Sequence, residues 1–311
     1  MTRFAIIGHC GYIAPRHLEA INNVNGALLA CFDIQKKVSF DNLKQLPTQY
    51  TNYNSFLEFI KLSNTNSKNS IDYVSICSPN HMHFQHIKDV LSLGCNVICE
   101  KPLVGSLNEL QELKSLELLH GKKVYSILQL RYHQGILALK DYIALSKSKE
   151  FDIDLIYIAG RDKKYLESWK GDATKSFGIG ANIGIHFFDM LYFAFGDYNQ
   201  SKLSYFDGIR ASGYIKFKSA KAKWFLSISS DDIPNGIQGT TYRKITVNDY
   251  EVDFSNLKGF KDLHTISYEE ILNDRGFGII DAEHSLKIAL SIEKSNIEML
   301  EEELTHPFLR R

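Results

Sequence analysis

The chain has 311 residues, enough for two hydrophobic cores of ordinary domain size. Its 36 basic and 36 acidic side chains cancel, which argues against nucleic acid or an anionic membrane surface as a partner. Hydrophobic residues make up 44% of it without a run of about 18, so no transmembrane span is expected.

Met1-Thr-Arg-Phe-Ala-Ile-Ile-Gly runs straight into a strand and leaves no room for a signal peptide, so the expected compartment is the cytoplasm. Phe4–Gly8 is that strand, short and continuously apolar, and helical periodicity follows over 13–23. Gly26–Asp33, Asp72–Cys77, Asn96–Cys99 and Val124–Gln129 repeat the apolar run. Helical periods over 54–63, 80–93 and 106–119 separate them, and polar Ser63–Ser70 reads as a surface loop. Apolar strands alternating with helices predict a parallel sheet covered on both faces. Five cysteines, Cys10, Cys31, Cys77, Cys95 and Cys99, lie in or beside these strands; buried reduced thiols are expected rather than disulfides.

Beyond about residue 150, Asp152–Ile158, Ser212–Lys218 and Ala222–Ser229 alternate apolar with polar, the signature of a largely antiparallel sheet. Helices are expected at His186–Phe195 and Asp281–Glu303. The fold class is α/β: a dinucleotide-binding (Rossmann) domain over 1–130, then an α+β domain with an open, mostly antiparallel sheet over 131–311.

Gly8-His-Cys-Gly11-Tyr-Ile-Ala14 joins the first strand to a helix, where glycine lets the backbone approach a pyrophosphate held at the helix N-terminus. Cys10 stands where the second glycine of the usual Gly-x-Gly-x-x-Gly falls. Asp33 ends the second strand; a carboxylate there accepts the ribose hydroxyls and repels a 2′-phosphate, which favours NAD over NADP. Lys36 and Lys37 blunt that preference. Ser78-Pro-Asn80 precedes a helix with His81, His83 and His86, but residues two apart face different ways, and no set with usual ligand spacing completes a metal site. Cys95 and Cys99 fit packing equally well.

Glu100-Lys101-Pro102 follows a buried strand, which puts Lys101 at the carboxyl end where open α/β sheets form their ligand crevice. An ammonium there can stabilise a developing alkoxide. Asn182, His186 and Asp189 fall at helical spacings of four and three; His186 suits proton transfer near neutrality, and Asp189 can orient its ring. Arg161–Ser176 is rich in cations and hydroxyls, a composition suited to an anionic ligand and shared by solvated loops.

With the Rossmann turn, Glu100-Lys101-Pro102 and the Gly-Ile-His186-x-x-Asp189 helix, the chain resembles the Gfo/Idh/MocA oxidoreductases. Gly11–His17, Asp72–Asn80, Leu128–Arg131 and Ser168–Asp172 are similar to their WlbA/WbpB-type branch. The resemblance implies NAD-dependent oxidation of the C3 hydroxyl of UDP-N-acetylglucosaminuronic acid to a ketone, in surface polysaccharide (lipopolysaccharide O-antigen) synthesis. It implies catalytic roles for Lys101 and His186, with Asn182 and Asp189 supporting; the wider family usually carries Asp where Asn182 stands, and an amide takes no proton. Cofactor contacts are implied for Gly8, Gly11, Tyr12, Ile13, Asp33, Ile34, Ser78, Asn80, His83, Glu100, Lys101, Gln129 and Trp169. Substrate contacts are implied for Lys101, Arg131, Tyr165, Lys175, Asn182 and His186. A homotetramer is the expected assembly, and some of the branch reoxidise NADH with 2-oxoglutarate. The alternatives are a dehydrogenase of another sugar or cyclitol, and a non-catalytic NAD or sugar sensor.

Overall fold

The computed structural model describes every residue except 37–39, 41–42, 44–45, 66–68, 255–256, 295–296, 299 and 311, with the side chains of 257–261 and 310 also set aside. Lys37 and part of the expected 63–70 loop therefore lie outside the described residues. The chain divides into two compact units: Met1–Gln129 with Lys258–Glu283, and Leu130–Leu257 with His284–Arg311. The chain leaves the first unit after residue 129 and returns to it over 258–283.

In the first unit, β1 (Arg3–Ile7), β2 (Ala27–Phe32), β3 (Thr48–Tyr50), β4 (Tyr73–Ile76), β5 (Asn96–Cys99) and β6 (Val124–Ser126) form one parallel sheet ordered β3-β2-β1-β4-β5-β6. The order reverses between β1 and β4, so a crevice opens at their carboxyl ends. Helices Ala14–Asn23, Tyr53–Asn64, His83–Ser92 and Leu107–His120 connect the strands. Their limits follow from caps. Asn52 accepts from Ser55 N at 3.0 Å, and Ser106 accepts from Glu109 N at 3.2 Å while Glu109 reaches back to Gly105 N at 2.9 Å. Phe4, Ile6, Ile21, Leu28 and Ile98 are sealed in the core, each worth about 1.5–3 kcal/mol of burial. Helix Leu257–Leu272, missed in the sequence, adds Tyr268 and Ile271 to that core.

In the second unit, β7 (Phe151–Ala159), β8 (Tyr198–Phe206), β9 (Arg210–Phe217), β10 (Ala220–Ser227), β11 (Thr241–Val247) and β12 (Tyr250–Glu251) form a sheet ordered β12-β11-β7-β10-β9-β8. Only the β7/β10 pairing is parallel; the other four are antiparallel. The helix expected over Asp281–Glu303 runs instead from Ile279 to Ile292, because Glu293 and Lys294 end its apolar period. Ile156, Ile158 and Phe225 on this sheet pack against Phe308 and Leu309 of the C-terminal segment. Among the described residues, no helix is long and apolar enough to cross a membrane. Cys31, Cys77, Cys95 and Cys99 are buried thiols as expected, whereas Cys10 is exposed on the turn after β1.

Candidate active site

Three turns at the carboxyl ends of β1, β4 and β5 build the site of the first unit. After β1, Gly8 takes φ +83°, and a Cβ there would lie 2.7 Å from the Cys77 carbonyl carbon. Only glycine lets the β1 and β4 turns pass so closely. Asp33 Oδ2 accepts from Cys10 N at 3.0 Å and Oδ1 from Gln35 N at 3.1 Å, so the carboxylate that ends β2 is fastened to the same turn. Helix Ala14–Asn23 starts three residues past Gly11 without a side-chain cap. Tyr12 (84% exposed) and Ile34 (82%) stand open to solvent on either side.

After β4, Ser78 is gripped twice: its hydroxyl lies 2.9 Å from His86 Nδ1, and its carbonyl 2.9 Å from His83 Nε2. His83 Nδ1 reaches Pro102 O at 2.8 Å. His83 is fully buried with each ring nitrogen beside a backbone carbonyl, and a neutral ring donates to one of the two. It is a clip between two turns. Burial pushes its pKa down, and burial pushes that of His86 down to about 4.

After β5, the Lys101–Pro102 peptide bond is cis. The buried Glu100 carboxylate takes His17 Nε2 at 2.9 Å and His264 Nε2 at 3.0 Å on one oxygen, and the Lys101 N–H at 3.3 Å on the other. His17 Nδ1 continues to Tyr268 Oη at 2.8 Å and thence to Ser75 Oγ at 2.5 Å. Burial disfavours the carboxylate, but the hydrogen bonds of His17 and His264 outweigh it and hold Glu100 well below the usual range. The Glu100 carboxylate therefore serves the protein, which leaves its backbone alone for the expected cofactor contact. His17 ends the Gly11–His17 stretch noted in the sequence, whereas no sequence signal pointed to His264 or Tyr268.

These turns fit a dinucleotide. The Gly8 turn leaves no room for a Cβ, Asp33 stands where a ribose would, and the buried Gln129 Oε1 lacks a donor among the described residues. A carboxamide or hydroxyl of a bound nucleotide supplies one. Among the described residues, two side-chain sets lie close enough for an ion, His9/Cys10/Asp33 and His17/Glu100/His264, and neither includes His81, His83 or His86.

In the second unit, a π-helical turn over Gly180–Gly184 runs into helix Ile185–Phe195, so the simple four-residue spacing of Asn182 and His186 does not apply. Both are half-buried, whereas Asp189 is buried and holds Arg131 by Nε–Oδ2 and Nη2–Oδ1 bonds of 3.0 and 2.8 Å. Arg131 also lies over the rings of Tyr192 and Phe193. Arg131, an expected substrate residue, is thus paired with Asp189 inside the unit. Lys175 pairs with Asp172 at 3.1 Å on an exposed turn. Asn182 Nδ2 donates to Tyr165 Oη, which joins two expected substrate residues. Trp169 is half-buried beside Lys170, whose Nζ is 5.8 Å from its ring.

Comparison with known proteins places these features in context. The GFO_IDH_MocA model, described as an oxidoreductase family with an NAD-binding Rossmann fold, matches residues 2–128, and that family's C-terminal alpha/beta domain matches 145–241. The WlbA (WbpB) dehydrogenase from Thermus thermophilus, solved in complex with NAD and alpha-ketoglutarate, is 39% identical; the match covers 99% of this chain and 100% of that one, with a TM-score of 0.93. Its complex with NAD and UDP-GlcNAcA matches at 38% identity with the same coverage and TM-score. Glucose-6-phosphate 3-dehydrogenase from Bacillus subtilis is 27% identical over 202 residues, 63% of this chain and 54% of that relative's length.

Proposed function

The chain belongs to the Gfo/Idh/MocA oxidoreductase family, and from this we propose that it oxidises the C3 hydroxyl of UDP-N-acetylglucosaminuronic acid to the 3-keto sugar. The observation that carries the reading is the likeness over 99% of the chain, at 38% identity, to a dehydrogenase solved with NAD and UDP-GlcNAcA. When bound, NAD supplies the hydride acceptor. The remaining roles fall to this chain's residues. His186 takes the C3 hydroxyl proton, a role that suits imidazole because its ordinary pKa lies nearest neutrality among the side chains. The role proposed for Lys101 is that of a donor offsetting developing negative charge, a contribution of about 3–4 kcal/mol for one well-aimed donor. Asn182 and Tyr165 help hold the sugar.

The same reading includes a cytoplasmic homotetramer acting in lipopolysaccharide O-antigen synthesis, supported by the resemblance. A second reading, oxidation of another sugar, is favoured by the 27% likeness to a glucose-6-phosphate 3-dehydrogenase. A sensor finds no such support, since the named relatives are dehydrogenases. The deciding experiment incubates the protein with NAD and a panel of UDP-sugars and sugar phosphates, following NADH with and without 2-oxoglutarate. NADH formed only with UDP-sugars supports the first reading; turnover on sugars lacking UDP supports the second. A rise in product without net NADH, on adding 2-oxoglutarate, would mark it as the acceptor.

A further inference from the structure

The turn after β1 carries donor atoms beyond those a dinucleotide needs. Cys10 stands where the glycine-rich pattern has its second glycine, with His9 (1% exposed) before it and Asp33 across from it, just past β2. The His9 ring stacks on Phe40, with centroids 5.6 Å apart. A ring nitrogen of His9, the Cys10 thiol and a carboxylate oxygen of Asp33 all lie within 4.8 Å of one another. The thiol is exposed and donates to Gln35 O at 3.4 Å, so the set opens to solvent on the Cys10 side.

The chemistry of these donors selects an ion. Thiolate, imidazole and carboxylate together suit zinc, whereas magnesium and calcium take oxygen donors. Around a tetrahedral zinc such donors stand about 3.3–3.6 Å apart, so the widest pair here has at most about 1.5 Å to close. The buried set His17/Glu100/His264 differs, because its facing atoms already hold hydrogen bonds of 2.9 and 3.0 Å that an ion would have to break.

Asp33 makes the ion and the cofactor rivals. A carboxylate offers about four acceptor positions, and Cys10 N and Gln35 N take two of them. What remains serves either the hydroxyls of a ribose or a metal. A metal also cancels the charge that strengthens those hydroxyl contacts.

We propose that His9, Cys10 and Asp33 form a zinc site that closes the protein to NAD when filled. Binding sends the Cys10 proton to solvent, joins zinc to the sulfur, the imidazole nitrogen and the carboxylate oxygen, and leaves a fourth position to water. No electron moves. By linkage, bound NAD lowers zinc affinity by the same factor.

Cobalt(II) serves as the coloured probe and zinc as its competitor. Titrating NAD-free protein with cobalt should raise a thiolate-to-cobalt charge-transfer band that saturates at one ion per chain, and zinc should abolish it. With zinc at about ten times its own dissociation constant, the apparent Kd for NAD should rise about tenfold, and chelator should reverse the rise. Cys10→Ser should lose the band, and both Cys10→Ser and His9→Gln should weaken zinc about tenfold or more. His264→Gln should leave zinc binding as it is. Thermal unfolding in chelator reports that each variant folds, and the exposed position of Cys10 makes its variant the safer one. A band that survives in Cys10→Ser overturns the proposal. So does zinc binding that depends on His264, or zinc and NAD bound together without mutual loss.

Discussion

His17 Nε2 and Glu100 Oε1 lie 2.9 Å apart, both shut away from solvent directly behind the proposed catalytic lysine. Glu100 is ionised there because two buried imidazoles donate to it. Glu100→Gln keeps the shape but removes the charge and turns an amide N–H toward the Lys101 N–H. It should destabilise the protein by about 1.5–3 kcal/mol, the value of hydrogen bonds to a charged group. It should also lower kcat more than NAD affinity, since the turn it supports carries Lys101. Urea unfolding and steady-state kinetics of the variant check both; wild-type stability would show that the network is dispensable.

Acid should weaken the fold in a defined window. His86, His17 and His83 all have pKa values depressed by burial, so below about pH 6.5 the unfolded chain binds protons that the folded chain refuses. Stability is complete above that pH and falls as pH drops toward the folded values. For His86, held at about 4, the loss reaches about 3 kcal/mol by that pH. Glu100 adds to the loss only below the usual carboxylate range, as pH falls through its depressed value. Urea unfolding at a series of pH values should show this slope, and His86→Gln should flatten it. A stability independent of pH over this range would refute the assignment of neutral buried histidines.

Lys101→Ala tests the chemistry. It should leave NAD binding largely intact and cut turnover on the order of a hundredfold or more, as loss of an oxyanion-type donor does. NAD titration by protein fluorescence and initial rates measure the two separately. Near-normal turnover would remove Lys101 from the reaction.

Much of this was legible in the sequence, for physical reasons that also mark where legibility ends. Buried parallel strands need apolar runs on both faces, so β1, β2, β4 and β5 were visible, and Gly8, Asp33 and Lys101 could be placed at their ends. β3 is three residues long and partly exposed, too short for any period to show. Helix Leu257–Leu272 escaped notice because its buried face mixes His264, Ser267 and Tyr268 with Leu263 and Ile271. Side-chain partners were the least accessible. His83 meets a carbonyl 19 residues away and Arg131 a carboxylate 58 away, separations that no local pattern of residues reveals.

The cofactor preference depends on Asp33, whose two oxygens already hold Cys10 N and Gln35 N. Those bonds fix the carboxylate at the end of β2, where an NAD ribose can add its hydroxyls as donors and a 2′-phosphate would meet like charge. The wild type should therefore prefer NAD clearly over NADP. Asp33→Ala should narrow the ratio from both directions, by weakening NAD and by relieving repulsion of NADP. Because the same change frees Cys10 N and Gln35 N, some loss of NAD affinity will come from a looser turn. Asp33→Asn separates the two causes: its side-chain oxygen still accepts a backbone N–H while the negative charge is gone. If charge sets the preference, Asn and Ala should narrow the NAD/NADP ratio of kcat/KM alike; if turn geometry does, Asn should behave as wild type. Equal use of both cofactors by the wild type would show that Asp33 does not read the ribose.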